Sequence, residues 1–274
     1  MKVFILYAKE NWITDELAKE WIQHNSEFYT TNLLEADTIW VLSNYIIHQI
    51  PHSLLLEKRV FITIHHIVPW KMNDSKRAHY RYLDQVADYF LTNQTICQSM
   101  LETIVTKPIK TIPLWHNETI FKPLSNKKEL RQKYNLDETH YLIGSFQRDT
   151  EGHSISTKTY LPKLEKGPDI FVQAILTLRQ QHPNLSVVLT GYYRHYIQRE
   201  LTKHNIQYSY FQQCSASQLN ELYNCLDLYI VGSRVEGGPR AINECSLTKT
   251  SLLSTNVGIS SLLCHPDSIF DMNN

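Results

Sequence analysis

The chain has 274 residues, 27 lysines and arginines against 27 aspartates and glutamates, and 42% hydrophobic residues. Its length suggests two domains of ~150 residues each, and the lack of a basic excess argues against a nucleic-acid binder, whose affinity comes from neutralising phosphates. Cys97, Cys214, Cys225, Cys245 and Cys264 are scattered without a CxxC pair, which argues against a disulfide framework or a cysteine zinc site and reads as buried thiols in a reducing compartment.

The N-terminal MKVFILYAKENW carries six apolar residues before Lys9 and Glu10, too few for a signal peptide or a membrane span. A soluble cytoplasmic protein is expected. Strands are predicted at 2–7, 37–42, 59–64, 88–92 and 109–112, with helices near 14–23, 45–56, 76–87 and 94–104 between them. Thr14 is a candidate cap for the first helix, whose Leu17 and Trp21 share a buried face. Two prolines then interrupt the unpatterned IPLWHNETIFKPLSN (112–126), so the expected boundaries are a domain over 1–113, a linker over 114–126 and a domain over 127–274.

The second part repeats the scheme, with strands near 140–146, 186–190, 207–211 and 227–232. A helix over 168–182 opens on Pro168 and aligns Phe171, Ala174, Ile175 and Leu178 on one stripe. Ser215 and Gln218 form a capping-box pattern before Leu219, Leu222, Tyr223 and Leu226. Near-continuous apolar strands alternating with helices imply parallel sheets covered on both faces. The fold class expected is α/β, with two Rossmann-like doubly wound domains facing a cleft, the kind of interface that commonly holds ligands.

Three constellations could carry chemistry. In LDLYIVGSRVEGGPRAINECS, Glu236 follows a buried strand and Pro239 is placed to open a helix that carries Arg240 and Glu244. Gly237 and Gly238 let a ligand approach the backbone, at the end of a parallel strand where open α/β sheets bind ligands. A carboxylate repels phosphate, so Glu236 suits hydroxyl groups; the plain alternative is a strand–turn–helix with an exposed acid. Second, Arg148 after one strand and Lys166-Gly167-Pro168 at a helix start can neutralise a diphosphate, or be solvated loop cations. Third, His65 and His66 end a strand and could bond a hydroxyl or move a proton. Downstream, Lys71, Lys76, Arg77 and Arg81 with interleaved aromatics could hold an acidic acceptor or a membrane surface, or be the wet face of a helix. Residues 1–113 are close to neutral, so any membrane contact would be local and peripheral.

In this order the pieces resemble the retaining glycosyltransferases of the GT-B fold, glycosyltransferase family 4, with a shortened C-terminus. The resemblance rests on the E-x7-E pattern of Glu236 and Glu244 with its EGGP loop, on Arg148 and Lys166-Gly167, on IPLWHNETIFKP, and on His65. It implies metal-independent transfer of a sugar, with retention, from a nucleotide-diphosphate sugar (UDP- or GDP-sugar) to a glycan, lipid-linked or small-molecule acceptor. By residue, it implies that Arg148 and Lys166 hold the diphosphate. Glu236 with Gly237, Gly238, Pro239 and Arg240 would hold the donor sugar and phosphate, Glu244 the ribose, and Phe211 and Gln212 the base side. His65 would contact the transferred sugar, and His66, Lys71 and Arg77 the acceptor. Neither a cofactor nor a metal ligand set is implied.

The chain departs from the pattern at several places. Leu114-Trp115 stands for the usual Asn-Gly, Pro239 lacks an N–H, Lys249 and Ser251 replace a Gly and a Pro, and YAKENW lacks the Gly-rich loop. The loop 149–165 is also longer than usual. Two other readings stay open at this point: a non-catalytic nucleotide-sugar or glycan-binding module, and an epimerase on the same fold. Retention of Arg148, Lys166, Glu236 and Glu244 together favours the transferase.

Overall fold

The computed structural model describes residues 1–10, 13–153 and 160–271. They form two compact units, Met1–Trp115 and His116–Asn274. The predicted linker is thereby divided. Leu114 and Trp115 pack against the first unit's core, whereas Ile120, Phe121 and Leu124 belong to the second.

The first unit runs β1 (Val3–Leu6), α1 (Ile13–His24), β2 (Thr38–Val41), a 3-10 turn (Asn44–Gln49), α2 (His52–Glu57), β3 (Arg59–Ile64), a 3-10 turn (Pro69–Lys71), α3 (Asp74–Val86), β4 (Tyr89–Thr92), α4 (Thr95–Glu102) and β5 (Ile109–Thr111). Its sheet is parallel, in the order β1-β2-β3-β4-β5. Two sequence expectations fail locally. Thr14 lies inside α1 and does not cap it. The helix expected over 45–56 is broken, because Pro51 forces Ile50 into an extended conformation and starts α2 afresh.

Tyr29 makes a parallel bridge to Val3 on the free side of β1. The chain therefore leaves β1 one way through α1 and then crosses to β2 on the other side. Right-handed crossovers in opposite directions put α1 on one face and α2, α3 and α4 on the other. The core clusters agree: Leu17 and Ala18 of α1 pack with Val3, Ile5 and Leu42, while Leu55, Leu83 and Leu101 pack with Ile39, Ile62 and Phe90. Full coverage of both faces, expected from the apolar strands, is corrected here. Ile39, Val60 and Phe90 are fully buried, but their neighbours on the α1 face, Trp40, Phe61 and Tyr89, are only half-buried.

The second unit runs α5 (Lys127–Lys133), β6 (Tyr141–Ser145), β7 (Thr150–His153), β8 (Tyr160–Pro162), a 3-10 turn (Leu164–Lys166), α6 (Pro168–Gln181), β9 (Leu185–Thr190), α7 (His195–Lys203), β10 (Gln207–Phe211), α8 (Ala216–Cys225), β11 (Leu228–Val231), α9 (Arg240–Thr248), β12 (Leu252–Thr255), α10 (Ser260–Leu263), a 3-10 turn (Pro266–Ser268) and β13 (Ile269–Phe270). The capping box forms as predicted, Ser215 Oγ accepting from the Gln218 amide at 3.2 Å and Gln218 Oε1 from the Ser215 amide at 2.9 Å. The long polar loop contains an antiparallel pair, β7 with β8, and its residues 154–159 lie outside the described ones.

The large sheet has the order β10-β9-β6-β11-β12-β13, all parallel. Successive crossovers thus run outward one way from β6 and the other way from β11. That reversal is the topological switch point, and it opens a crevice outside the carboxyl ends of β6 and β11. Beside it, the fully buried Arg194 joins strand ends through Asp149 (2.7 Å), the Ser145 carbonyl (2.5 Å) and the Thr190 carbonyl (2.7 Å). With every partner a fixed oxygen, the guanidinium's desolvation is offset and the loops after β6 and β9 are held in register.

Candidate functional site

The switch point of the second unit gathers much of what the sequence singles out. Gly167, just before α6, has φ +55, and a Cβ there would sit 1.7 Å from the Gly232 carbonyl oxygen. A Cβ on Gly232 would meet the Gly167 oxygen at 3.0 Å. Two glycines therefore let the start of α6 press against the end of β11. The loop after β11 is then fastened to the turn before α6. Arg234 and Val235 amides donate to the Glu165 carbonyl (2.9 and 3.1 Å), and the Arg234 guanidinium forks onto Asp169 with two 2.7 Å bonds.

This fastening brings Lys166 and Glu236 together. Lys166 Nζ donates to Glu236 Oε1 at 2.5 Å, and the buried Ser233 hydroxyl donates to the same oxygen at 3.1 Å. Both charged side chains are largely sheltered, with 18% and 10% of their surfaces exposed. Gln147 completes the support by donating to the Lys166 carbonyl at 3.0 Å.

Beyond Glu236, Gly237 is buried, and Gly238 and Pro239 rest on Gly258. Gly258 has φ +58, and a Cβ there would lie 2.7 Å from Pro239 Cδ and 3.2 Å from Gly238 Cα. Gly258 is a structural member of the site that sequence reasoning missed; its signal was a glycine two positions before the SSLL helix, ahead of its cap Ile259. Pro239 caps α9, with Arg240 the first helical residue. It had been expected one position further in, as the first helical residue itself.

Arg240, Asn243 and Glu244 share one side of α9. Glu244 is buried; its Oε2 accepts from the Tyr223 hydroxyl at 2.7 Å, and its Oε1 lies 3.4 Å from Arg240 Nε. Burial pushes the Glu244 carboxyl above its usual range, opposed by Arg240 and then Tyr223. Arg240 Nε and Nη1 are buried and make no hydrogen bond among the described residues. Asn243 Nδ2 lies 2.6 Å from His116 Nε2, a donor–acceptor pairing that puts the imidazole proton on Nδ1. Nδ1 is also buried without a hydrogen bond. Burial, then the Arg240 charge, lowers His116 to about 4, so the ring is neutral near pH 7. His116 carried no sequence signal, because it lies in an aperiodic segment and reaches Asn243 only through the fold.

The other predicted residues are placed as follows. Arg148 stands on the loop after β6, but its guanidinium donates to the Thr150 and Glu151 carbonyls and stacks 4.3 Å from the Tyr193 ring centre. It and Lys166 thus take different partners. Phe211 ends β10 and packs edge-on to Tyr134 at 5.5 Å, with Gln212 exposed beside it. In the first unit, His65 Nε2 donates to the Leu42 carbonyl at 3.0 Å, and burial lowers its pKa. His66 is exposed, Lys71 closes a 3-10 turn, and Arg77 is exposed on α3 with Lys76 and Arg81. Among the described residues, no cluster of three metal-ligating side chains occurs, and no helix is long and apolar enough to cross a membrane.

HepE from Anabaena, solved with UDP and glucose, superposes with a TM-score of 0.73 at 13% identity, over 96% of this chain and 82% of that one. The fold is GT-B. Sucrose-phosphate synthase from Thermosynechococcus elongatus shares this GT-B architecture at TM-score 0.66 and 15% identity, over 95% of this chain and 65% of that one. A glycosyltransferase from Rickettsia africae does so at 0.59 and 15%, over 94% and 66%. Residues 154–265 match the family of glycosyl transferases group 1. That segment of the GT-B chain contains Lys166, Glu236, Arg240 and Glu244. No curated protein matches the sequence significantly.

Proposed function

We propose that this chain is a glycosyltransferase that moves a hexosyl group from a nucleoside-diphosphate sugar to an acceptor, with retention of anomeric configuration. The observation that carries the reading is the contact between Lys166 and Glu236 at the switch point: one cation and one carboxylate, side by side at a strand-end crevice, match a ligand that carries phosphate next to hydroxyls. The group 1 match over the same residues and a GT-B neighbour solved with UDP support a UDP-sugar as donor.

In this reading Lys166 takes the diphosphate. Arg240, whose Nε faces Glu244 Oε1 at 3.4 Å, supplies a buried Nη1 that makes no hydrogen bond among the described residues, the kind of group that ordinarily has a partner. Negative charge accumulates on the diphosphate as the glycosidic bond breaks, and fixed cations in a sheltered site stabilise that transition state without reorganising. The protein's own cations do this work in the proposal, without a metal. Glu236 holds the donor sugar's hydroxyls, with the backbone of Gly237 and Gly238 close by. Glu244 takes the ribose with the carboxylate that also orients Arg240. Arg148 reaches the diphosphate by releasing the carbonyls of the hairpin. Phe211 and Gln212 border the base. His65, kept neutral by burial, contacts the transferred sugar, while His66, Lys71 and Arg77 serve the acceptor. No side chain is assigned as a nucleophile.

The test is incubation of the chain with a panel of UDP- and GDP-sugars and acceptor extracts, reading free nucleoside diphosphate. Release with one donor, unaffected by EDTA and yielding product of unchanged anomeric configuration by NMR, is expected. Saturable UDP binding without release from any donor would replace catalysis by the nucleotide-sugar-binding reading.

A further inference from the structure

The first unit contains a cavity of about 480 Å³ on the α1 face of its sheet. The register builds its floor: Trp40 lies opposite Phe61, Phe61 opposite Tyr89, and Leu91 beside Lys110. One wall is Leu17 and Trp21 of α1; another is Leu114 and Trp115, with Trp21 and Trp115 at 5.8 and 6.3 Å from the Trp40 ring. The cavity follows from the topology. Only one crossover runs to the α1 side, so among the described residues of the first unit no helix lies above β3, β4 and β5 on this face.

Polarity is distributed unevenly around it. Among the lining threonines, Thr63 already accepts from Trp40 Nε1 at 2.9 Å and Thr92 pairs with Thr111 at 3.0 Å. These two hydroxyls are thus already engaged within the protein. No carboxylate lines the cavity, and its single charged side chain is Lys110, exposed at the mouth with its ammonium 5.4 Å from the Tyr89 ring. The volume is within the range of sites for small ligands, which are mostly apolar with a few placed polar groups.

We propose that this cavity is a binding site for a single-chain anionic amphiphile: an apolar chain lies on the aromatic floor between Trp40 and Leu91, and its anionic head meets Lys110. A lining made mostly of aliphatic and aromatic side chains favours a hydrocarbon chain over a sugar, and the exposed Lys110, with Met1 also on the lining but its amino group ion-paired with Asp37 at 3.7 Å, favours an anionic head over a neutral or cationic one. The site shares no residue with the donor site proposed above and does not depend on it.

The test is calorimetric titration of the full chain with dodecyl phosphate below its micelle concentration, alongside dodecanol and inorganic phosphate. Dodecyl phosphate should bind at one site, and dodecanol about tenfold more weakly. Lys110→Glu, at an exposed position, should weaken dodecyl phosphate about tenfold and leave dodecanol unchanged. Leu91→Trp, which fills the floor, should abolish both; its thermal melt checks that it folds. Inorganic phosphate should show no binding that either variant alters. The proposal is overturned if dodecyl phosphate fails to bind, if its binding ignores both variants, or if the face is instead occupied by a second copy, seen as a dimer that Leu91→Trp dissociates.

Discussion

Lys166 and Glu236 stand seventy positions apart in the chain, yet their charged atoms lie 2.5 Å from each other. The contact exists because Gly167 and Gly232 allow two backbones to touch and because Arg234 forks onto Asp169. Glu236→Gln keeps the shape and removes the charge. Turnover should fall about 10²- to 10³-fold, while the melting temperature moves by less than about 4 °C. Nucleoside diphosphate release and a thermal melt measure the two, and wild-type turnover would remove Glu236 from the proposed chemistry.

Arg240 and Glu244 offer a sharper separation of binding from stability. Arg240 holds the buried Glu244 carboxyl down, so Arg240→Met lets it rise further. A carboxyl raised in the folded state keeps a proton that the unfolded chain releases, and stability is then lost as pH increases through the raised value. Arg240→Met should therefore be more destabilised at pH 8 than at pH 5. The double variant Arg240→Met/Glu244→Gln should lose that pH dependence, and both should bind UDP more than about tenfold more weakly. Equal destabilisation at the two pH values would contradict the coupling.

Gly167→Ala tests the hinge of the whole arrangement. A methyl group there meets the Gly232 carbonyl at 1.7 Å, in a backbone conformation of φ +55 that alanine adopts poorly. A loss of about 2–4 kcal/mol is expected from denaturant unfolding, with activity falling further because Lys166 is the adjacent residue. A stable, active Gly167→Ala protein would mean that the close approach is dispensable.

His116 should leave a signature in acid. Its ordinary value is about 6.5, and the folded protein holds it at about 4. Between these values the unfolded chain binds a proton that the folded chain does not, so its contribution is complete above pH 6.5 and is lost as pH falls toward 4. His116→Gln keeps an acceptor for Asn243 and removes the titration. Chemical unfolding at several pH values should show a shallower loss of stability across that window in the variant; identical slopes would place His116 outside the acid response.

Much of the site could be read in advance because its parts are local. Pro168 and the Ser215 box start helices, apolar runs of four to six residues make strands, and Lys166 and Glu236 fall at strand-to-helix junctions whatever the sheet order. Elements with weak local patterns were not legible. The helix α7 (HYIQRELTK) puts Ile197 and Leu201 on one face but runs only nine residues, the strands β12 and β13 are short, and β7 and β8 lack apolar alternation.

By itself the sequence determined the element types, the two-part α/β organisation and the identity of the residues at each loop, since these follow from hydrophobic period and from the backbone demands of glycine and proline. Partnerships were decided only in three dimensions. That Lys166 meets Glu236 and Arg148 turns to a hairpin, that Glu244 is buried beneath Tyr223 and Arg240, and that Asn243 finds His116 all depend on strand order and on which backbones can touch. Burial follows the same logic: one bridge at Tyr29 sends a single crossover to the α1 face, and this leaves Trp40, Phe61 and Tyr89 half-buried though their strand neighbours are wholly enclosed.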